Sequence, residues 1–195
     1  MVNQKLCRGL WIGVAIAAVW PLVAGAEELP AAMPSPKAVE AIKLLDSKDP
    51  YQRQLGFLRL EALREPSTVP AIQAYAQSRD PELRAYSLRA LAAIEGNAAM
   101  PRLLQALNTD KQPVVRRAAL LGLEPLQKNA PNPDILLAFI KALRDPSTEV
   151  RMAAVDIVSR IDAPQAREAV LTRYKRERRR DVRRVLELAM KRLGT

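Results

Sequence analysis

The chain repeats one pattern of apolar and polar positions five times, and an arginine marks each copy. The arginines recur at intervals of 31, 32, 35 and 32 residues, a range of periods that is typical of solenoids. They are Arg53, Arg84, Arg116, Arg151 and Arg183. In every copy the positions seven and ten residues after the arginine are apolar, and those one before and three after it are mostly apolar or small. These offsets lie on one face of an α-helix, so an amphipathic helix is predicted around each arginine.

A second helical stretch precedes each arginine-bearing helix. The five stretches cover residues 36–46, 67–78, 98–108, 132–144 and 163–176, and their apolar residues also follow helical spacing. Asp49, Asp80 and Asp145 each stand before a proline, which predicts an N-cap aspartate followed by a proline in the first helical turn. We therefore predict an all-α fold, an α-solenoid of about five helix-turn-helix repeats, over residues 36–195.

Residues 1–26 have the composition of a secretory signal peptide. Lys5 and Arg8 precede an apolar run of about 15 residues, which ends in small residues around Ala26. The run is shorter than the roughly 20 residues that a membrane-spanning helix needs. We expect cleavage near Ala26 and a periplasmic or secreted protein; an uncleaved segment that tethers the chain to the inner membrane stays an alternative. The proline-rich residues 27–35 are predicted to form a flexible, extended leader.

The composition excludes most catalytic and metal chemistry. With no histidine and one cysteine, the chain cannot form a histidine ligand cluster, a Ser-His or Cys-His pair, or a multi-cysteine zinc site. It also lacks a Gly-rich phosphate loop, a G-x-S-x-G segment and a dinucleotide-binding fingerprint. We expect a protein that is not an enzyme and that has no catalytic residues, no metal and no cofactor. Hydrolysis by carboxylates alone stays formally open.

The positive charge is concentrated at the C-terminal end. Residues 171–195 contain 10 basic and 3 acidic residues, whereas residues 27–170 contain 19 and 18. The cluster, called the basic segment below, comprises Arg173, Lys175, Arg176, Arg178, Arg179, Arg180 and Arg184. Two interpretations stay open, a polar cap on the last repeat or a site for an acidic protein, anionic lipid or anionic polymer. We do not expect nucleic acid as a partner, because the predicted compartment is wrong and the cluster offers only Tyr174 for base stacking.

Two segments resemble the HEAT-repeat signature. They are residues 80–84 (Asp-Pro-Glu-Leu-Arg) and 145–154 (Asp-Pro-Ser-Thr-Glu-Val-Arg-Met-Ala-Ala), and the short period is similar to that of bacterial HEAT-like repeats, including those of phycobilin lyases. The resemblance covers residues 36–195, although the fifth copy lacks an Asp-Pro pair. It implies a protein-binding scaffold. It also implies that the five repeated arginines, called the arginine ladder below, bond aspartates of neighbouring hairpins and are structural.

The leading hypothesis is an exported scaffold that mediates protein–protein interaction in the bacterial cell envelope, with a partner of unknown identity. The second helices of a solenoid line its concave face, which is the expected docking surface. The exposed candidates on that face are Arg59, Arg89, Arg117, Asp156 and Arg160. The alternative is a peripheral protein that binds anionic lipid or polymer through the basic segment, and a third hypothesis is a non-binding structural subunit of a larger envelope complex.

Overall fold

The computed structural model describes residues 33–194, and within this range it contains helices and no strands. The first helices of the hairpins are α1 (Pro36–Leu45), α3 (Val69–Gln73), α5 (Met100–Thr109), α7 (Pro133–Ala142) and α9 (Pro164–Arg176). The second helices are α2 (Pro50–Leu63), α4 (Pro81–Glu95), α6 (Pro113–Asn129), α8 (Thr148–Val158) and α10 (Arg180–Leu193). The prediction of an all-α solenoid is confirmed. The predicted signal peptide and most of the predicted leader lie outside the described residues.

Two of the second helices begin with the predicted cap. The side chain of Asp49 accepts a hydrogen bond of 2.9 Å from the backbone N–H of Tyr51, and Asp80 accepts one of 2.9 Å from Glu82. A proline occupies the first helical position after each aspartate. The cap satisfies one of the N–H groups that a helix leaves unpaired at its start, so α2 and α4 begin where the sequence predicts.

The prediction that Asp145 is an N-cap is wrong, because α8 begins at Thr148. Asp145 lies six residues before its ladder arginine, whereas Asp49 and Asp80 lie four residues before theirs. Its carboxylate accepts an N–H two residues further on, at 2.8 Å, within the loop that leads to the helix. This two-residue difference in register gives Asp145 a different partner, which is described below.

The predicted helix over residues 67–78 is broken into shorter pieces. A 3₁₀ turn (Pro66–Thr68) precedes α3, and another (Ala74–Gln77) follows it. The second turn places the Tyr75 ring edge-on against Phe57, with 5.5 Å between ring centres, and its hydroxyl 2.5 Å from a carboxylate oxygen of Asp46. The tighter turn thus joins the second hairpin to both helices of the first.

The core is continuous from one hairpin to the next, and α4 illustrates how. Ala90 and Leu91 are buried with Phe57 among the residues of the first hairpin. Leu88 and Ala92, on the same helix, are buried with residues of the later hairpins. Because α4 supplies apolar side chains to both groups, neither group is closed without it, as expected of stacked repeats.

Close contacts at two glycines show how each second helix is oriented. A Cβ on Gly56, three residues after Arg53, would lie 2.9 Å from the carbonyl oxygen of Ala41, so that side faces the first helix of the same hairpin. A Cβ on Gly122, six residues after Arg116, would lie 3.0 Å from Leu103 in α5 and 3.1 Å from the Cβ of Ala92 in α4, so that side lies between the first helix of the same hairpin and the preceding second helix.

The remaining side of each second helix, five and nine residues after the ladder arginine, faces away from the other helices. We call it the open face. Its residues are Leu58, Ala62, Arg89, Ala93, Leu121, Pro125, Asp156, Arg160, Leu188 and Arg192, and all of them are at least partly exposed.

Candidate functional site

Three interior arginines of the ladder each bind an acid of the following repeat. The acid lies six residues before the next ladder arginine in all three cases. The N···O distances are 3.0 and 3.1 Å for Arg84–Asp110, 2.8 and 2.7 Å for Arg116–Asp145, and 3.1 Å for Arg151–Glu177. Two of the pairs are bidentate, the geometry in which a guanidinium and a carboxylate match best.

The same guanidinium groups also bind the loops that precede their own helices. In Arg53, Arg84, Arg116 and Arg151, Nη1 donates to the carbonyl oxygens six and five residues earlier, at 2.8 to 3.2 Å. The side chains of Arg116 and Asp145 are only 10% and 8% exposed. These arginines therefore join one repeat to the next and offer few hydrogen-bond donors to an external ligand.

The ladder changes at both ends. At the first position Ser78 stands where the later repeats have an acid, so Arg53 reaches only Asp80, at 3.9 Å, and its buried Nε has no hydrogen-bond partner. At the last position the described residues supply no acid. The guanidinium of Arg183 lies over the ring of Tyr174 instead, with its carbon 4.3 Å from the ring centre.

Ion pairs between neighbouring second helices bind most of the residues predicted for the concave face. Arg89 of α4 pairs with Glu61 of α2 at 3.2 Å, and Arg160, in the turn just after α8, pairs with Glu124 of α6. Asp156 of α8 pairs with Arg160 and, at 3.5 Å, with Arg192 of α10. Arg89, Asp156 and Arg160 thus contribute to contacts between repeats, which the sequence pattern did not indicate.

The other two predicted concave residues lie in different places. Arg59 is six residues after Arg53, the position whose counterpart Gly122 contacts the preceding second helix. No second helix precedes α2 among the described residues, so Arg59 is exposed at the N-terminal end of the part that the structure describes, and its place on the concave face stays a prediction. Arg117 is exposed beside the open face, and its side chain has no partner among residues 33–194.

Only part of the basic segment is free. Arg173 pairs with Glu177, and Arg179 pairs with Asp181 at 3.0 Å. The other side chains are exposed and contact no acid within the described residues. They are Lys175, Arg176, Arg178, Arg180 and Arg184. The segment therefore presents five free positive charges on the last hairpin.

Glu177 organises the loop that carries these charges. Its buried carboxylate accepts hydrogen bonds from the side chains of Arg151 and Arg173 and from the backbone N–H groups of Arg178 and Arg179. Burial raises the pKa of Glu177, but the hydrogen bonds and the charges of Arg173 and Arg151 outweigh it, so the pKa lies below its usual value. Sequence reasoning missed Glu177. The signal was an acid six residues before Arg183, the same spacing as Asp110 and Asp145 have to their own arginines.

No helix within residues 33–194 is long and apolar enough to cross a membrane. No group of histidine, cysteine, aspartate and glutamate side chains in the same range has an arrangement that could hold a metal ion.

Comparison with known proteins agrees with the repeat pattern. The family model described as HEAT repeats matches residues 38–124 and 121–191. A chain in the structure of the complex of CpcE and CpcF of phycocyanin lyase from Nostoc sp. PCC7120 is similar to this one, with 27% sequence identity and a TM-score of 0.61. The match covers 78% of this chain and 96% of that chain. No curated protein matches. Because the similar structure is that of a lyase complex, the absence of enzymatic activity stays a prediction.

The buried, bidentate pair of Arg116 and Asp145 is expected to contribute more to stability than the incomplete contact at Arg53. Replacing Arg116 with alanine leaves Asp145 buried without its partner and should lower the free energy of unfolding by about 3 kcal/mol. The same replacement of Arg53, whose nearest acid is 3.9 Å away, should cost about 1 kcal/mol or less. Urea unfolding followed by circular dichroism measures both, and equal losses in the two variants would contradict the assignment.

An exchange of two residues should complete the first ladder pair. Ser78→Asp combined with Asp80→Ser gives the second repeat the order that Asp145 and Ser147 have in the fourth, without changing the net charge. The new carboxylate can bind Arg53, so we expect a gain of about 1 kcal/mol in the free energy of unfolding. Adding Arg53→Ala to the exchange serves as the control, and a gain that survives it must have another origin.

The low pKa of Glu177 makes part of the stability dependent on pH. The ionised carboxylate stabilises the fold fully above the unfolded value of about 4.5, and this contribution is lost as the pH falls towards the lower folded pKa. Glu177→Gln should therefore be less stable than the native chain by about 2 kcal/mol or more near neutral pH, and the difference should shrink in acid.

Unfolding in urea at a series of pH values tests this expectation. Glu168→Gln, at an exposed position on α9, is the control and should follow the native chain throughout. A stability difference for Glu177→Gln that stays constant down to about pH 3 would show that its cost is not due to lost charge.

Proposed function

Because the chain belongs to the family of HEAT-repeat proteins, we propose that it is an exported scaffold that docks another protein on the open face of its second helices. Repeat arrays of this kind present extended surfaces and bind partners without catalysis of their own. The similar solved structure is itself a complex of two different proteins, which supports a protein partner.

The observation that carries the proposal is an apolar interval on the open face between two groups of ion pairs. Glu61–Arg89 lies on one side of it, and Glu124–Arg160, with its neighbours, lies on the other. The open-face residues between them are Ala93, Leu121 and Pro125, and no ion pair joins α4 to α6 here. An apolar centre with a polar rim is the usual composition of a protein interface.

Two polar groups beside this apolar interval can fix the orientation of a docked partner. Arg117 is exposed and has no side-chain partner among the described residues. Pro125 lies inside α6, so the carbonyl of Leu121, four residues earlier, lacks the N–H that would normally bond to it. The partner would therefore meet an apolar patch with one cation and one backbone carbonyl that lacks its usual helical donor, which favours a surface that carries an acid and a donor.

The proposed location is the periplasm or the exterior, after cleavage near Ala26. The basic start, short apolar run and small residues of positions 1–26 support it, and an uncleaved membrane tether is the alternative. Both tryptophans, Trp11 and Trp20, precede Ala26, so a cleaved protein has no tryptophan emission. Intact mass and fluorescence of the purified exported protein test this, and tryptophan emission would exclude cleavage.

A second candidate function is peripheral binding of anionic lipid or polymer. The five free cations of the basic segment favour it, since unpaired charges of one sign attract anionic surfaces. Binding of this kind should weaken steeply with added salt. Salt-resistant association with one protein would instead support the scaffold.

Photo-crosslinking can locate the docking surface. A photoreactive amino acid at Arg117 should form one adduct of defined mass in cells that produce the protein, because its side chain lies beside the apolar interval. The same amino acid at Leu137, which is 65% exposed on α7, is the matched control and should form none. Adducts at Leu137 and none at Arg117 would place the partner on the first helices and contradict the proposal.

A further inference from the structure

The last ladder arginine has no acidic partner within the described residues. Arg84, Arg116 and Arg151 each bind an acid supplied by the following repeat, whereas residues 33–194 supply no such acid to Arg183. Its guanidinium instead stacks on Tyr174, whose hydroxyl donates to Glu187 at 3.2 Å. Stacking uses the face of the guanidinium and leaves the N–H groups at its edge free for a carboxylate.

The surface around Arg183 is also exposed. Glu187, four residues after Arg183, occupies the position where the earlier repeats have apolar residues buried against their neighbours. Those earlier residues are Phe57, Leu88, Leu120 and Val155. The side of α10 that would contact a following helix is thus solvated. Arg180, three residues before Arg183, lies on this side, and Arg184, which has the register of Arg117, lies between it and the open face.

We propose that the C-terminal end of the solenoid is a docking site for an acidic segment of a partner protein, whose carboxylate binds Arg183 as Asp110, Asp145 and Glu177 bind the preceding arginines. The free cations Arg180 and Arg184 attract further acids of the same segment. This surface is separate from the apolar interval between α4 and α6, so the proposal requires a protein partner but not docking on the open face.

A second copy of this chain does not fit the site. If copies stacked end to end, the residue that approaches Arg183 would be the one six residues before Arg53, which is Ser47. A serine supplies no carboxylate, and the first ladder position already shows the result, since Arg53 opposite Ser78 makes only a 3.9 Å contact with Asp80. The occupant is therefore a different protein with an exposed aspartate or glutamate.

A membrane surface fits less well than an acidic protein. A helix that lies in the interface of a bilayer needs a free apolar face. In α10 the residues Val182, Leu186 and Ala189 are buried in the core, and among its large apolar side chains Leu188 is the one that is well exposed, at 57%. Lipid binding would also depend on the number of charges and not on the shape of one guanidinium.

The test uses the protein without residues 1–26 and three probes. The first is a fluorescein-labelled peptide of alternating glutamate and alanine, the second is the matching peptide with glutamine, and the third is vesicles of phosphatidylglycerol and phosphatidylcholine. We expect saturable binding of the glutamate peptide only, measured by fluorescence anisotropy. Arg183→Ala should weaken it by about tenfold or more, and Arg183→Lys by nearly as much, because lysine cannot form the bidentate pair.

The controls distinguish binding that needs the guanidinium geometry of Arg183 from binding that needs only positive charge. Lys37→Ala, an exposed cation on α1, should bind like the native protein. Arg183→Lys keeps a cation near Tyr174, so it stays informative even if the alanine variant loosens the last hairpin, which circular dichroism checks. The proposal is overturned if Arg183→Lys binds like the native protein, or if the vesicles are bound while the glutamate peptide does not saturate. The latter result would assign the surface to lipid.

Discussion

The contact on which this solenoid depends is the ion pair between an arginine early in one second helix and an acid just before the next. A helix hairpin of about 30 residues cannot bury its own apolar face, so each repeat must be held against its neighbour at a defined distance and angle. The guanidinium does this because it binds two things at once, the carbonyls of its own loop and the carboxylate of the following loop. Apolar burial supplies most of the stacking energy, and the ladder sets how the repeats align.

The two ends of the array differ because the ladder has a direction. Each arginine points to the following repeat, so within residues 33–194 the last one, Arg183, has no acid, while the first repeat has Ser47 where later repeats have the acid. At this end the Tyr174 ring beneath Arg183 takes the place of the acid that the interior arginines bind. Glu177 is the regular ladder partner of Arg151, and it also orders the loop that carries the cations of the last hairpin. The interior of the array carries almost no net charge, and its charged side chains pair with each other across neighbouring repeats.

The helices could be predicted from the sequence because apolar spacing and N-caps act over a few residues. The acids that bind the ladder arginines could not be predicted, because an aspartate before a proline has two different structural roles in this chain. Asp80 caps its own helix, whereas Asp145 binds an arginine 29 residues earlier, and the two differ only by two residues of register before the next arginine. Arg89 and Arg160 were predicted to face a ligand because sequence spacing does not reveal contacts between repeats. Each of them pairs with an acid about 30 residues away in the chain.

The regular spacing of arginine and acid makes interior repeats interchangeable. Since every acid from the third repeat onward lies six residues before its own arginine, the loss or duplication of one interior repeat brings another equivalent acid opposite the preceding arginine. Chains of different length could thus arise from the same repeats without new contacts having to evolve at the junctions. The first two repeats are not interchangeable with the others, because they have Ser47 and Ser78 where the later repeats have an acid. These two repeats can therefore begin an array but cannot extend one.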